Sequence, residues 1–277
     1  MTYLLLLILA HFLADFTFQS DQLIQERHHP DKKRRENAIV KHVGIHFIIS
    51  VGFVFIGMLI SQSMNLLLVL MLLIVIILTS VTHYAIDSAK YYLDQKITSQ
   101  KMKVVLFLVD QALHITIIVL PFIYLIEKYS VGQVYIFEDV IALIILLYLN
   151  TVVASHFLHI VLNKIAPPNS IEQTIEEEID RKEDGQEPQI HTVITKSKTS
   201  YPESHHKIGR YIGMLERVLI MMFVYSGQVM GITIILAIKS ITRFKQFDDK
   251  RFAEYYLIGT LMSMIIGLIF GYLARLV

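Results

Sequence analysis

Residues 66–90 read LLLVLMLLIVIILTSVTHYAIDSAK. From Leu66 to Leu78 no polar side chain occurs, and the first ionisable groups are His83, Asp87 and Lys90 at one end. A helix needs about 20 mainly apolar residues to cross a bilayer, and one that is apolar all round is surrounded by lipid or protein on every side. The stretch therefore reads as a membrane span. Its His83 and Asp87 stand at i, i+4, one turn apart on a single face.

Six further runs have the same character: 3–19, 42–60, 104–126, 140–162, 218–238 and 252–274. Together they predict an all-α fold, a polytopic transmembrane helical bundle of about seven spans. Composition agrees, with 54% hydrophobic and only 18% charged residues, against about 25% charged in soluble domains. The first run has no positive stretch before it, and His11 and Asp15 interrupt it, so it reads as a retained helix and not as a signal peptide. With 25 Lys plus Arg against 24 Asp plus Glu, no overall basic field exists to attract nucleic acid. The absence of cysteine excludes disulfides, thiolate zinc sites and cysteine nucleophiles. No Gly-rich phosphate loop, HExxH or GxSxG motif occurs. The adjacent pairs His28-His29 and His205-His206 fall in predicted loops, without the further boxes a membrane desaturase needs.

Basic residues set the expected orientation. Arg27, Lys32, Lys33, Arg34, Arg35 and Lys41 precede the second run, and Lys96, Lys101 and Lys103 precede the fourth; the intervening loops hold at most Lys128. The expectation is a multi-pass protein of the cell (inner) membrane with its N-terminus outside. Residues 1–163 then form a five-helix unit, 164–207 a polar cytoplasmic loop and 208–277 a two-helix unit. The loop opens on Pro167-Pro168, carries the acidic run Glu176-Glu177-Glu178, and reads as partly disordered with one short helix over 171–181. Seven spans leave Lys239, Arg243, Lys245, Lys250 and Arg251 outside, against the rule. The alternative is that 208–238 dips in and turns back around Gly227–Gly231, which needs the broken backbone to be satisfied by protein or water. Gly209-xxx-Gly213, Gly227-xxx-Gly231 and Gly267-xxx-Gly271 offer close helix contacts, within the chain or in an oligomer.

The chemistry lies in polar pairs. His11/Asp15, His42/His46, His83/Asp87 and Asp110/His114 put an i, i+4 pair on each of the first four spans, all at the cytoplasmic end and at one depth. Ionisable groups inside a membrane span are costly and functional by default. Convergent imidazole and carboxylate ligands from antiparallel helices suit one or two divalent transition metal ions. With no thiolate available, zinc comes first, with manganese or iron as alternatives. His11, Asp15, His42, His46, His83 and Asp87 are the expected ligands, and Asp110 and His114 the expected acid and base or the ligands of a second ion. Gln19 and Lys90 lie on the same faces and could orient ligands or hold an anion, although a snorkelling lysine explains Lys90 equally well. His156 and His159 could join from the fifth span. A second polar cluster, Glu216, Arg217, Lys239, Arg243 and Glu254, reads as ion pairs locking the last helices or as an anion site for a phosphate head group.

The segments AHFLADFTFQSD (10–21), KHVGIH (41–46), THYAIDSAK (82–90) and VDQALH (109–114), with GRYIGMLERVLI, KSITRF and AEYYLIGTLMS in the tail, resemble a bacterial membrane family catalogued as domain of unknown function 3307. The resemblance runs from the first to the last helix and skips the acidic loop. It implies a helical membrane protein and carries no established activity. The His/Asp spans are also loosely similar to bacterial inner-membrane proteins described as metal-dependent hydrolases. The residues thus predict a membrane metalloprotein, a hydrolase of a lipid-borne or membrane-proximal phosphoester or acyl substrate. The alternatives are a divalent-cation or proton transporter using the pairs as a relay, or a scaffold or sensor with a structural metal.

Overall fold

A computed structural model of the chain describes residues 1–61, 65–127, 137–163, 165, 170–181, 189–200, 203–248 and 250–277. Lys128, Lys164 and the Pro167-Pro168 start of the polar loop lie outside these. Among the described residues five helices are long and apolar enough to cross a membrane, and a sixth span results if one bent pair is counted.

That pair opens the chain. Helix α1 (Thr2–Phe16) and the short α2 (Asp21–Arg27) meet at 85°. Ser20 caps α2, its hydroxyl accepting from the Leu23 amide at 3.2 Å, so the chain turns here because a strong N-cap starts a second helix. At 15 residues α1 is about 22 Å long. Ten of its residues are buried, and helices α3 (Lys32–Ser61), α5 (Gln100–Phe122) and α6 (Glu138–Tyr148) surround it. Helix α4 (Leu66–Asp94) packs between α3 and α5.

Contacts at the two ends fix the helix directions. The Met1 amino group lies 3.0 Å from Glu138 Oε1 and the Tyr3 hydroxyl 3.1 Å from Ser61 Oγ, so residues 1, 61 and 138 share one end. At the other end stand Arg27, Lys32 and Gln100, the last bonded to the Ile160 carbonyl. Between the ends Tyr3, Leu7, Val54, Met58, Leu72, Val75, Ile76, Ile118 and Phe122 form a packed apolar core.

The fifth span, 138–162, is not a plain helix. Between α6 and α7 (Ala154–Leu162) the turn Leu149–Val153 widens to π geometry, which releases carbonyls from the helical ladder. Arg217 of α8 (Glu203–Tyr225) takes them up. Its Nε donates to Asn150 O at 2.6 Å, and its Nη2 to Thr151 O at 3.1 Å and Ser155 Oγ at 2.6 Å. Nη1 donates to Ser263 Oγ at 3.1 Å. Asn150 returns a bond from Nδ2 to the Arg217 carbonyl at 3.0 Å.

The run 218–238 is not one span. Helix α8 ends at Tyr225, Gly227 adopts a φ of +75° that suits glycine, and α9 (Gly231–Arg243) turns back. Phe223 covers Gly231, and Lys239 Nζ reaches Glu216 Oε2 at 2.6 Å, so α9 lies antiparallel to α8. The final helix, α10 (Lys250–Ala274), runs parallel to α8: Ser263 meets Arg217, Gly267 meets Ile220 and Gly271 meets Val224. The Gly267-xxx-Gly271 face is therefore used within the chain. This is the turned-back alternative, and it carries Lys239, Arg243, Lys250 and Arg251 to the end that already holds Arg27 and Lys32. The expected helix over 171–181 is instead strand β1 (Ser170–Arg181), paired antiparallel with β2 (Gln189–Ser200). Ile171, Ile175 and Ile179 recur every fourth residue, a spacing that suits either period, and the β-branched run of β2 decides for strand.

Two outcomes follow. In this cysteine-free chain, single cysteines at Lys32 and Arg251 are expected to react with an impermeant thiol reagent from the same face, and one at Gln228 from the opposite face; opposite labelling of the first two would refute the turned-back arrangement. Arg217→Ala leaves buried carbonyls without donors and should cost about 3 kcal/mol or more, seen as a lower thermal midpoint by circular dichroism in detergent.

Candidate metal centre

Helices α1, α3, α4 and α5 alternate in direction, and this sorts their polar pairs. One turn is about 5.4 Å, so His11, His46, His83 and His114 form a deep layer while Asp15, His42, Asp87 and Asp110 form a layer nearer the Arg27 end. The four pairs stand at one level of the bundle, each contributing one residue to each layer. In the deep layer the imidazole rings stand as close as 4.1 Å between centroids for His46/His83 and for His83/His114, and 5.3 Å for His11/His46 and His11/His114.

Carboxylates knit the layers together. Asp15 Oδ1 lies 2.9 Å from His46 Nε2 and 3.2 Å from His42 Nε2, and its Oδ2 lies 3.6 Å from His11 Nε2. Asp87 Oδ2 lies 3.4 Å from His83 Nε2 and 3.6 Å from His42 Nε2, and its Oδ1 3.8 Å from His114 Nε2. Among the described residues two overlapping sets could hold an ion: Asp15, His42, His46 and His83, and then His83, Asp87 and His114, with ligand atoms in each set within 4.8 Å of one another. His83 belongs to both. Of the eight expected residues, His114 stands among the ligand atoms, His11 stands beside both sets, and Asp110 supports His114 at 3.6 Å.

The nitrogens are presented for coordination. His114 Nδ1 faces the Asp110 carbonyl at 2.8 Å, so Nδ1 carries the proton and Nε2 keeps its lone pair. The Nε2 atoms of His11, His42, His83 and His114 are buried and make no hydrogen bond of acceptable geometry. Each such atom costs about 1–3 kcal/mol if left unmatched. On the deep side a cavity of about 20 Å³ touches His11, His46, His83 and His114 and is lined by Ser50, Thr79 and Ser80; that is room for about one water. Beyond it the apolar core closes the bundle.

On the open side two cations cover the carboxylates. Arg27 Nη2 lies 2.6 Å from Asp87 Oδ2, and Lys90 donates to Asp110 Oδ2 at 2.6 Å. Gln111 donates to Asp15 Oδ2 and Asp110 Oδ2, both at 3.2 Å. Gln19, with its amide oriented to satisfy both ends, donates to the Asp15 carbonyl at 3.0 Å and accepts from Arg27 Nη1 at 2.5 Å. Arg27 and Gln111 were not anticipated. The signal for Arg27 was present in Ser20-Asp21, an N-cap that starts a short helix ending at Arg27, and Gln111 adjoins Asp110.

The remaining candidates lie elsewhere. His156 packs on Phe16 with ring centroids 5.1 Å apart, and its Nδ1 faces the Val152 carbonyl; His159, three residues on, belongs to neither ligand set. The carboxyl-terminal cluster divides into the Glu216–Lys239 ion pair, the separately buried Arg217, a half-buried Arg243 and an exposed Glu254.

Searches of curated proteins and of solved structures return no match, and nothing in the comparisons supports the likeness to metal-dependent hydrolases. A family model described as "Protein of unknown function (DUF3307)" matches residues 3–143. The matched region holds both ligand sets, Arg27 and Lys90, and ends within α6, so the tail segments lie outside it. The chain belongs to the DUF3307 family.

Proposed function

We propose that this protein is a membrane metalloenzyme, a hydrolase whose one or two divalent ions sit between α1, α3, α4 and α5 near the cytoplasmic leaflet of the inner membrane. The observation that carries the reading is the set of three buried Nε2 atoms, those of His42, His83 and His114, which lie within the two ligand sets without hydrogen-bond partners, beside the Asp15 and Asp87 carboxylates. A nitrogen and oxygen donor set without sulfur suits zinc, manganese or iron.

A bound ion supplies a water of lowered pKa and polarises the phosphoryl or acyl oxygen of an ester. The chain's own residues do the rest. Asp15 and Asp87 orient imidazoles from two layers, and the Asp110 carbonyl fixes the tautomer of His114. His11, outside both ligand sets and 3.6 Å from Asp15, is placed to take the proton from water and return it to the leaving oxygen. The apolar core beyond the deep layer supports a site open on one side, which favours an enzyme over a through-going ion pathway, since a pathway needs polar residues to continue across the bundle.

The test is hydrolysis of p-nitrophenyl phosphate and p-nitrophenyl acetate by the purified chain in detergent, before and after removal of metal with a chelator. Turnover of at least one ester should vanish on chelation and return with zinc or manganese. His83→Ala, which removes the ligand common to both sets, should lower it at least a hundredfold, while His156→Ala should leave it within about twofold. Metal-independent turnover, or none with any ion, would contradict the reading.

A further inference from the structure

The cations at the open side have no role as ligands. Arg27 and Lys90 each sit on a carboxylate, Asp87 and Asp110, at 2.6 Å. Arg27 is held there by construction. Gln19 accepts from its Nη1, and Glu26 anchors α2 to α3 through Arg34 at 3.1 and 2.5 Å. Arg35 donates to the His29 and Pro30 carbonyls at 3.1 and 3.3 Å and stacks 3.9 Å above the Tyr91 ring. Arg27 is mostly buried, with 13% of its side chain exposed, and Lys90 is reachable from solvent at 31%.

Charge balance then indicates what enters. With neutral imidazoles, three carboxylates against two cations leave the site at −1, and one divalent ion would take it to +1, or two ions to +3. An excess positive charge in a largely desolvated site is unfavourable until an anion joins it. An ion drawing on Asp87 competes with Arg27 for the same carboxylate and frees the guanidinium fork, a donor geometry matched to phosphoryl oxygens. A neutral acyl ester would leave the charge uncompensated. Among the described residues the deep cavity is lined by imidazoles, apolar side chains and the Ser50, Thr79 and Ser80 hydroxyls, with no cation, so the anion lies on the open side.

We propose that the substrate of this centre is a phosphate monoester, its phosphoryl group held between the metal and the Arg27 and Lys90 side chains, which exchange Asp87 and Asp110 for phosphoryl oxygens. The proposal rests on the metal-centre reading above and narrows it. In the reaction water forms the new P–O bond and the ester P–O bond breaks. One water proton passes to the leaving oxygen, which gives an alcohol and inorganic phosphate with no further co-reactant. The exposed Phe18 and Ile24 flank the α1–α2 elbow at the same end, so a phosphoryl group at head-group depth and one on a soluble ester both have access.

The experiment is calorimetric titration of the full chain in detergent micelles with zinc alone, with inorganic phosphate alone, and with phosphate after zinc loading. Phosphate should bind only to the zinc-loaded chain. Arg27→Gln and Lys90→Gln should each weaken it at least tenfold at unchanged zinc stoichiometry, and Arg27→Lys should recover part of the loss. Linkage supplies a check on the parent alone, independent of whether a variant folds: phosphate must tighten zinc binding by the factor by which zinc tightens phosphate. Zinc binding without phosphate binding, or phosphate binding insensitive to both Gln variants, overturns this inference and leaves the metal centre standing. Absence of binding by zinc, and by manganese and iron titrated in its place, overturns both. Phosphate release from phosphatidic acid in mixed micelles but not from glycerol 3-phosphate identifies a head-group source, and the reverse a soluble one. Release from neither, with p-nitrophenyl acetate cleaved, contradicts the proposal.

Discussion

Eight histidine and aspartate side chains meet where four helices of a membrane protein cross, and each polar atom among them needs a partner because the surroundings supply little water. Much of the architecture answers that demand. Asp15 bonds His46, the Asp110 carbonyl serves His114, and Arg27, Lys90 and Gln111 neutralise or bond the carboxylates from the open side, while the Nε2 atoms of His11, His42, His83 and His114 stay near carboxylates without a hydrogen bond. The elbow between α1 and α2 follows from the same demand. Had α1 continued straight, Gln19 and Arg27 would have passed beyond the bundle instead of folding back over Asp15 and Asp87.

A second buried polar node holds the carboxyl-terminal helices. Arg217 finds its partners in the carbonyls that the widened turn Leu149–Val153 sets free and in the hydroxyls of Ser155 and Ser263. An irregular helix and a buried guanidinium would each be unfavourable alone; together they satisfy one another and tie the fifth span to α8 and α10. The family match ends at residue 143, just before this node, so the node joins the matched bundle to the segment beyond it.

The helical membrane bundle was legible in the apolar runs, and the gathering of the first four polar pairs was legible in their i, i+4 spacing. The two-layer arrangement was also latent there: the order His-Asp, His-His, His-Asp, Asp-His on helices of alternating direction puts one histidine of each pair in the deep layer. What could not be read lay in the breaks. Gly227 and Gly231 in the run 218–238 fit a close-packed straight helix as well as a turn, and the contacts of Gly231 with Phe223 and of Lys239 with Glu216 show which one forms. Leu149–Val153 has no composition that marks a widened turn, and the isoleucines of β1 suit either period. Arg27 was counted among loop charges because its place depends on a 85° bend.

The central claim is that the convergent nitrogens exist to bind a metal ion. It is tested most directly by elemental analysis of the detergent-purified protein beside a His42→Ala/His83→Ala double variant, with circular dichroism to confirm that the variant stays helical. The account predicts one or two equivalents of a transition metal in the parent and none in the variant. A folded parent that carries no metal and takes up none from zinc, manganese or iron solutions would contradict it, and would make the polar layers a device for packing helices.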